Sequence, residues 1–148
     1  MKRRIPAIFL LVLAVCAISF SKKEDSIEQL MAKADAASGG EKADLCVEVA
    51  ERALKLTLGG YKANQPADAR KSLEQVVTYA DKAHAAAIQS GKKLKHTEIK
   101  IRQMSEHLHD LKFNVEPDDQ PVVQAAIDKL EDFRTEILKN MFGSKSHD

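Results

Sequence analysis

The chain has 148 residues, a formal net charge of +1, 30% charged and 5% aromatic residues, and two cysteines. So balanced a charge provides no field to gather nucleic acid or an anionic membrane, and two cysteines cannot form a disulfide framework. With only 6 Gly and 4 Pro, both in clusters, and no sustained period-two alternation, the pattern specifies an all-α protein.

The chain opens with Met1-Lys2-Arg3-Arg4, followed by an apolar run from Ile5 to Phe20. Cations ahead of a short apolar stretch are the layout of a secretory signal peptide. A membrane span needs about 20 apolar residues, and this run is shorter. Ser19 and Ser21 supply small residues for cleavage after Ser21, and cleavage after Ala17 is the alternative. Leu13-Ala14-Val15-Cys16 also resembles a bacterial lipobox, which would make Cys16 a lipid-bearing N-terminus and tether the protein to a membrane. The expected division is a cleaved signal over 1–21, one helical domain over 22–142 and a loose tail over 143–148. Loss of Lys2, Arg3 and Arg4, with no acid in the same stretch, takes the formal charge from +1 to −2. The expected destination is export, to the periplasm or the medium, with bacterial export favoured by the cationic start.

Five helices follow. The first is expected over 26–37, with Ser26 and Gln29 as a capping box and Gly39-Gly40 as its stop. It is short and Ala-rich, so weak packing or fraying is expected. The second runs from about Glu41 to Ala63, with Leu45, Cys46, Val49, Ala50, Ala53, Leu54, Leu56 and Tyr61 on one broad apolar arc. Gly59-Gly60 are expected inside this helix. Pro66 at a first helical position opens the third, which ends near Ser90-Gly91. Its small residues favour a close approach between helices.

The fourth helix, over 92–114, places Leu94, Thr97, Ile101, Met104, Leu108, Leu111 and Val115 at alternating spacings of three and four. That is an a/d seam. The fifth begins near Pro121, repeats the pattern in Val123, Ala126, Leu130, Phe133 and Ile137, and stops near Gly143. Short connections make sequential helices antiparallel neighbours. The expected architecture is an antiparallel up-down bundle of four long helices plus a short N-terminal one. A stack of helical hairpins of the tetratricopeptide kind is the competitor. The second and third helices suggest one such unit, but no copy recurs at its period of about 34 residues.

Side chains that could carry chemistry are few. His107 and His109 are two apart and diverge around a helix, whereas Glu106 and His109 have the i,i+3 spacing that metal ligands use. His84 falls on the apolar face of the third helix, where a buried, hydrogen-bonded histidine is expected and a haem or pH-sensing role is the alternative. Met104 is expected as a seam residue. Arg134 sits between Leu130 and Leu138, so it needs an acid partner, with Glu98 or Glu106 as candidates. Cys46 is expected to be an inert buried thiol. Lys92, Lys93, Lys95 and Lys100 form a modest basic patch, and Glu116, Asp118 and Asp119 lack the loop length and glycine of a calcium site. Asp119 and its neighbours are expected to cap the last helix.

No GxSxG, glycine-rich phosphate loop or Cys-His context is present. The reading is an exported, non-catalytic helical binding or scaffold module without a cofactor. Its partner is a protein or a second copy of itself, not nucleic acid. It meets a membrane only if the signal is retained or Cys16 is lipidated. A small metal- or haem-binding bundle is the alternative, with His84, Glu106 and His109 as its weak ligands.

Overall fold

The computed structural model describes residues 24–143. The expected signal segment, Cys16 and all of the tail beyond Gly143 lie outside the described residues. Among those described, the protein is all-helical, with α1 (Ile27–Ala36), α2 (Gly39–Lys62), α3 (Pro66–Ser90), α4 (Leu94–Lys112) and α5 (Gln120–Phe142), and no strand. None of these helices is long and apolar enough to cross a membrane.

The helix boundaries follow from side-chain and backbone chemistry. Ser26 Oγ accepts from the Gln29 amide, and Gln29 Oε1 accepts from the Ser26 amide, closing a capping box at the start of α1. Pro66 occupies the first turn of α3, where no amide hydrogen is required. Gly91 ends α3 at φ +66°, the left-handed conformation that glycine adopts without cost. Gly59 and Gly60 lie inside α2. Gly60 is needed for space, because a Cβ there would meet the Ala69 Cβ at 3.0 Å and its Cα at 3.1 Å.

Three expectations need correction. Gly39-Gly40 do not stop α1; they begin α2, and the break falls on extended Ala37 and Ser38. Nor does α1 fray. Leu30 and Ala34 are buried, Arg52 of α2 donates to the Asp25 carbonyl, and Tyr79 and Lys82 of α3 donate to Asp35 at 3.1 and 2.6 Å. A short helix is held by its tertiary contacts rather than by its own propensity. On α2, Cys46, Val49, Ala50, Ala53 and Leu54 of the expected arc are buried, but Leu56 is 52% exposed, and Ala43, Val47 and Thr57 are buried beside the arc.

One core spans all five helices. From α2 and α3 it draws Ala50, Ala53, Ala80 and Ala83 together with Val47, Val49, Leu73 and Val76; from α4 and α5 it draws Ile101, Met104, Leu108, Leu130 and Ile137. The packing partners of each helix are definite. Gly39 and Gly40 of α2 lie beside Ser90 and Lys92, while Gly60 lies on Ala69. Asp44 and Glu51 of α2 pair with Lys93 and with Lys100 of α4, at 2.7 and 2.8 Å. Asp119, which precedes α5, and Glu136 within it reach Arg70 and His84 of α3. Lys112 donates to Gln124 and Arg134 to Glu98, which joins α4 to α5. The backbones of α2 and α5 stay apart, although Tyr61 near the end of α2 reaches Asp119 just before α5.

Candidate functional site

The polar side chains gather at joints between helices. The most buried joint centres on Asp119, which is 4% exposed. Its Oδ1 accepts from Arg70 Nε at 2.6 Å and from Tyr61 Oη at 3.1 Å. The Asp119 side chain makes no cap bond, so the expected capping role gives way to a tie between the end of α2, the start of α3 and the start of α5. The Arg70 bond holds the Asp119 carboxyl below its usual value of 3.8 despite burial. Its stabilising effect is therefore present above the ordinary carboxyl range and is lost as pH falls through the lowered value. Burial, with Asp119 beside it, pushes the Tyr61 phenol up to about 12.

The second joint binds α1 to α3. Asp35 accepts from Tyr79 and Lys82, and Lys82 Nζ also lies 4.5 Å from the Tyr79 ring centroid. Hydrogen bonding from Lys82 lowers the Asp35 carboxyl, and burial raises the Tyr79 phenol. Sequence reasoning passed over Tyr61, Tyr79, Arg70 and Asp35. The available signal was that the two tyrosines are the chain's only ones, and a phenol on an apolar helix face needs a partner.

His84 occupies the third joint and is 8% exposed. Its Nε2 lies 2.7 Å from Glu136 Oε2 of α5, and its Nδ1 lies 3.5 Å from Asp81 Oδ1. The ring stacks on Phe133 with centroids 5.1 Å apart and planes at 21°. Arg134 Nε donates to Glu98 Oε1 at 2.6 Å and its Nη1 to Glu131, while Glu106 accepts from Arg102. Both His107 and His109 are exposed, and His107 Nδ1 sits 2.7 Å from the Gln103 carbonyl oxygen. Glu106 and His109 are not joined by any third ligand type: among the described residues, no three His, Cys, Asp or Glu side chains gather where a metal ion would be held. Met104 is buried in the seam, with Leu94, Ile101, Leu108, Leu111, Leu130, Phe133 and Ile137 in the same core. Cys46 is a buried free thiol, and burial raises its pKa, which suppresses the reactive thiolate. Two residues of the basic patch, Lys93 and Lys100, are engaged by Asp44 and Glu51.

Two surface depressions stand out. A groove of about 440 Å³ runs between α3 and α5, with Leu73, Val77, Val122 and Ala126 in its floor and Arg70, Glu74 and Lys129 at its edges. A cleft of about 550 Å³ borders the connection between α1 and α2, and Lys42, Lys82, Ala86 and Ser90 line its far side. No protein-family model matches the chain, and neither a curated protein nor a solved structure matches it.

Proposed function

We propose that this protein is an exported, non-catalytic interaction module that binds an amphipathic helix of a protein partner in the α3–α5 groove. On this reading the N-terminal segment over 1–21 directs export and is removed. The four long helices form two antiparallel hairpins, α2–α3 and α4–α5, laid side by side. The contacts of Gly39 with Ser90 and of Gly60 with Ala69 support the first hairpin. The Lys112–Gln124 and Arg134–Glu98 bonds support the second.

The observation that carries the proposal is the open groove itself. Helices α2, α3, α5 and α4 touch in that cyclic order, which leaves α2 and α5 as the diagonal pair and puts α3 and α5 side by side at the groove. On the outer side of the α3–α5 contact lies an apolar floor of Leu73, Val77, Val122 and Ala126. Apolar anchors flanked by charges are how a groove accepts the apolar face of a helix. The outer face of α4 and α5 carries the chain of ion pairs from Glu106 through Arg102, Glu98 and Arg134 to Glu131. Among the described residues, this charged face has no apolar anchors to offer a helix, in contrast to the groove.

A photo-crosslinking amino acid at position 122, with position 106 as control, tests the reading in the native host. The expected result is one discrete heterologous adduct at 122 and none at 106. An adduct of two copies would reassign the face to a homo-oligomer. Equal or absent adducts at both positions would overturn the groove as a binding face.

A further inference from the structure

Helix α1 is joined to α2 by only two non-helical residues, Ala37 and Ser38. Both are extended, with ψ of 166° and 162°, and Gly39 then turns the chain at φ +61°. A residue with a Cβ is strained in that conformation, and glycine is not. Space is not what selects glycine at this position. A Cβ on Gly39 would meet only the Ser90 Cβ, at 3.9 Å, whereas one on Gly40 would press on Lys92 at 3.2 Å. Gly39 is thus required for its backbone angle alone. The turn also borders the open cleft of about 550 Å³, which leaves the connection room to straighten.

The seat of α1 is built wholly from α2 and α3. Leu30 and Ala34 bury themselves in the core, Asp35 is bound by Tyr79 and Lys82, and Arg52 holds the Asp25 carbonyl. Nothing in these contacts requires that α1 and its seat belong to the same chain. Ala36, Ala37 and Ser38 are compatible with a helix. If Ala37, Ser38 and Gly39 all took helical angles, α1 and α2 would merge into one helix over 27–62, about 54 Å long. That helix would carry α1 off its own α2–α3 pair.

We propose that α1 is an exchangeable arm whose second partner is another copy of this chain, and that the positive φ of Gly39 holds it in the closed form. The surface that receives it is the α2–α3 face now occupied by α1. Reciprocal exchange closes as a two-fold dimer, with each α1 seated on the other copy. This inference stands apart from the α3–α5 groove, which takes no part in it.

The test is Gly39→Ala, read by light scattering across a concentration series with circular dichroism alongside. The expected result is a helical dimer, with a dimerisation constant about a hundredfold above the unsubstituted chain, roughly tenfold for each of two hinges. A second measurement locates the contact. Chains carrying G39A with D35K, and G39A with K82D, each place like charges at the α1 seat, and an exchange between them restores opposite charges. Native mass spectrometry of the mixture is expected to show heterodimers in excess. A helical G39A monomer would overturn the proposal, as would G39A that lost its helicity, since the merged helix must be a stable alternative. A statistical mixture of homo- and heterodimers would overturn it too, because the contact would then lie elsewhere.

Discussion

Alanines make up much of what α2 and α3 bury, with Ala50, Ala53, Ala69, Ala80, Ala83 and Ala87 beside Val47, Val49, Leu54, Leu73 and Val76. Between α4 and α5 they are long, with Ile101, Met104, Leu108, Ile127, Leu130 and Ile137 all buried. The first pair gains its stability from close backbone approach, as at Gly60 and Ala69, where there is little side chain to remove. The second gains it from interdigitated aliphatic chains, each of which hides a large apolar surface. Removing atoms should therefore damage one pair, and adding them should damage the other.

Leu108→Ala is the sharpest way to break the long-chain pair. Leu108 is buried with no exposure, and its truncation leaves a cavity that the seam cannot fill. The expected loss is about 2–5 kcal/mol by urea unfolding. At Ala83, also fully buried, the opposite change is the test. Ala83→Leu inserts three carbons into a position with no free space at the surface, at an expected cost of about 1–3 kcal/mol. The smallest effect concerns a flaw within the long-chain pair. Ser105 is 1% exposed, and its hydroxyl has no protein partner among the described residues. Ser105→Ala is expected to stabilise the fold by about 0.5–1 kcal/mol, since it removes a buried polar group that makes no bond. A loss on this substitution would show that the hydroxyl is satisfied in solution.

The same contrast explains what the sequence made legible. A seam of Ile101, Met104, Leu108 and Leu111 has one arrangement of its apolar side chains, so periodicity located both α4 and its buried face. On α2 the apolar arc is broad and its edges were harder to place: Cys46, Val49, Ala50, Ala53 and Leu54 are buried as expected, but Leu56 is exposed, while Val47 and Thr57 are buried. Arg134 was legible as a cation that needs an acid, because an isolated charge in an apolar arc is costly wherever the helix packs. Asp119 was not. It sits in an acidic turn where capping is the cheap local answer, and its actual partners, Arg70 and Tyr61, lie 49 and 58 residues away. Gly39-Gly40 misled for a related reason. Glycine marks a change of direction, but sequence does not say whether the turn belongs to the helix before it or to the one after.

The joints at Asp35 and Asp119 have one further consequence, for optical work. The chain has two tyrosines and no tryptophan. Tyr79 donates to Asp35 in α1, and Tyr61 donates to Asp119 at the head of α5. A carboxylate that accepts a phenol's hydrogen bond dims the phenol's emission, so each ring brightens when its own joint opens. Tyr79→Phe leaves a fluorophore that watches only the α5 end, and Tyr61→Phe leaves one that watches only α1. The molecule thus carries a separate lamp at each of two joints.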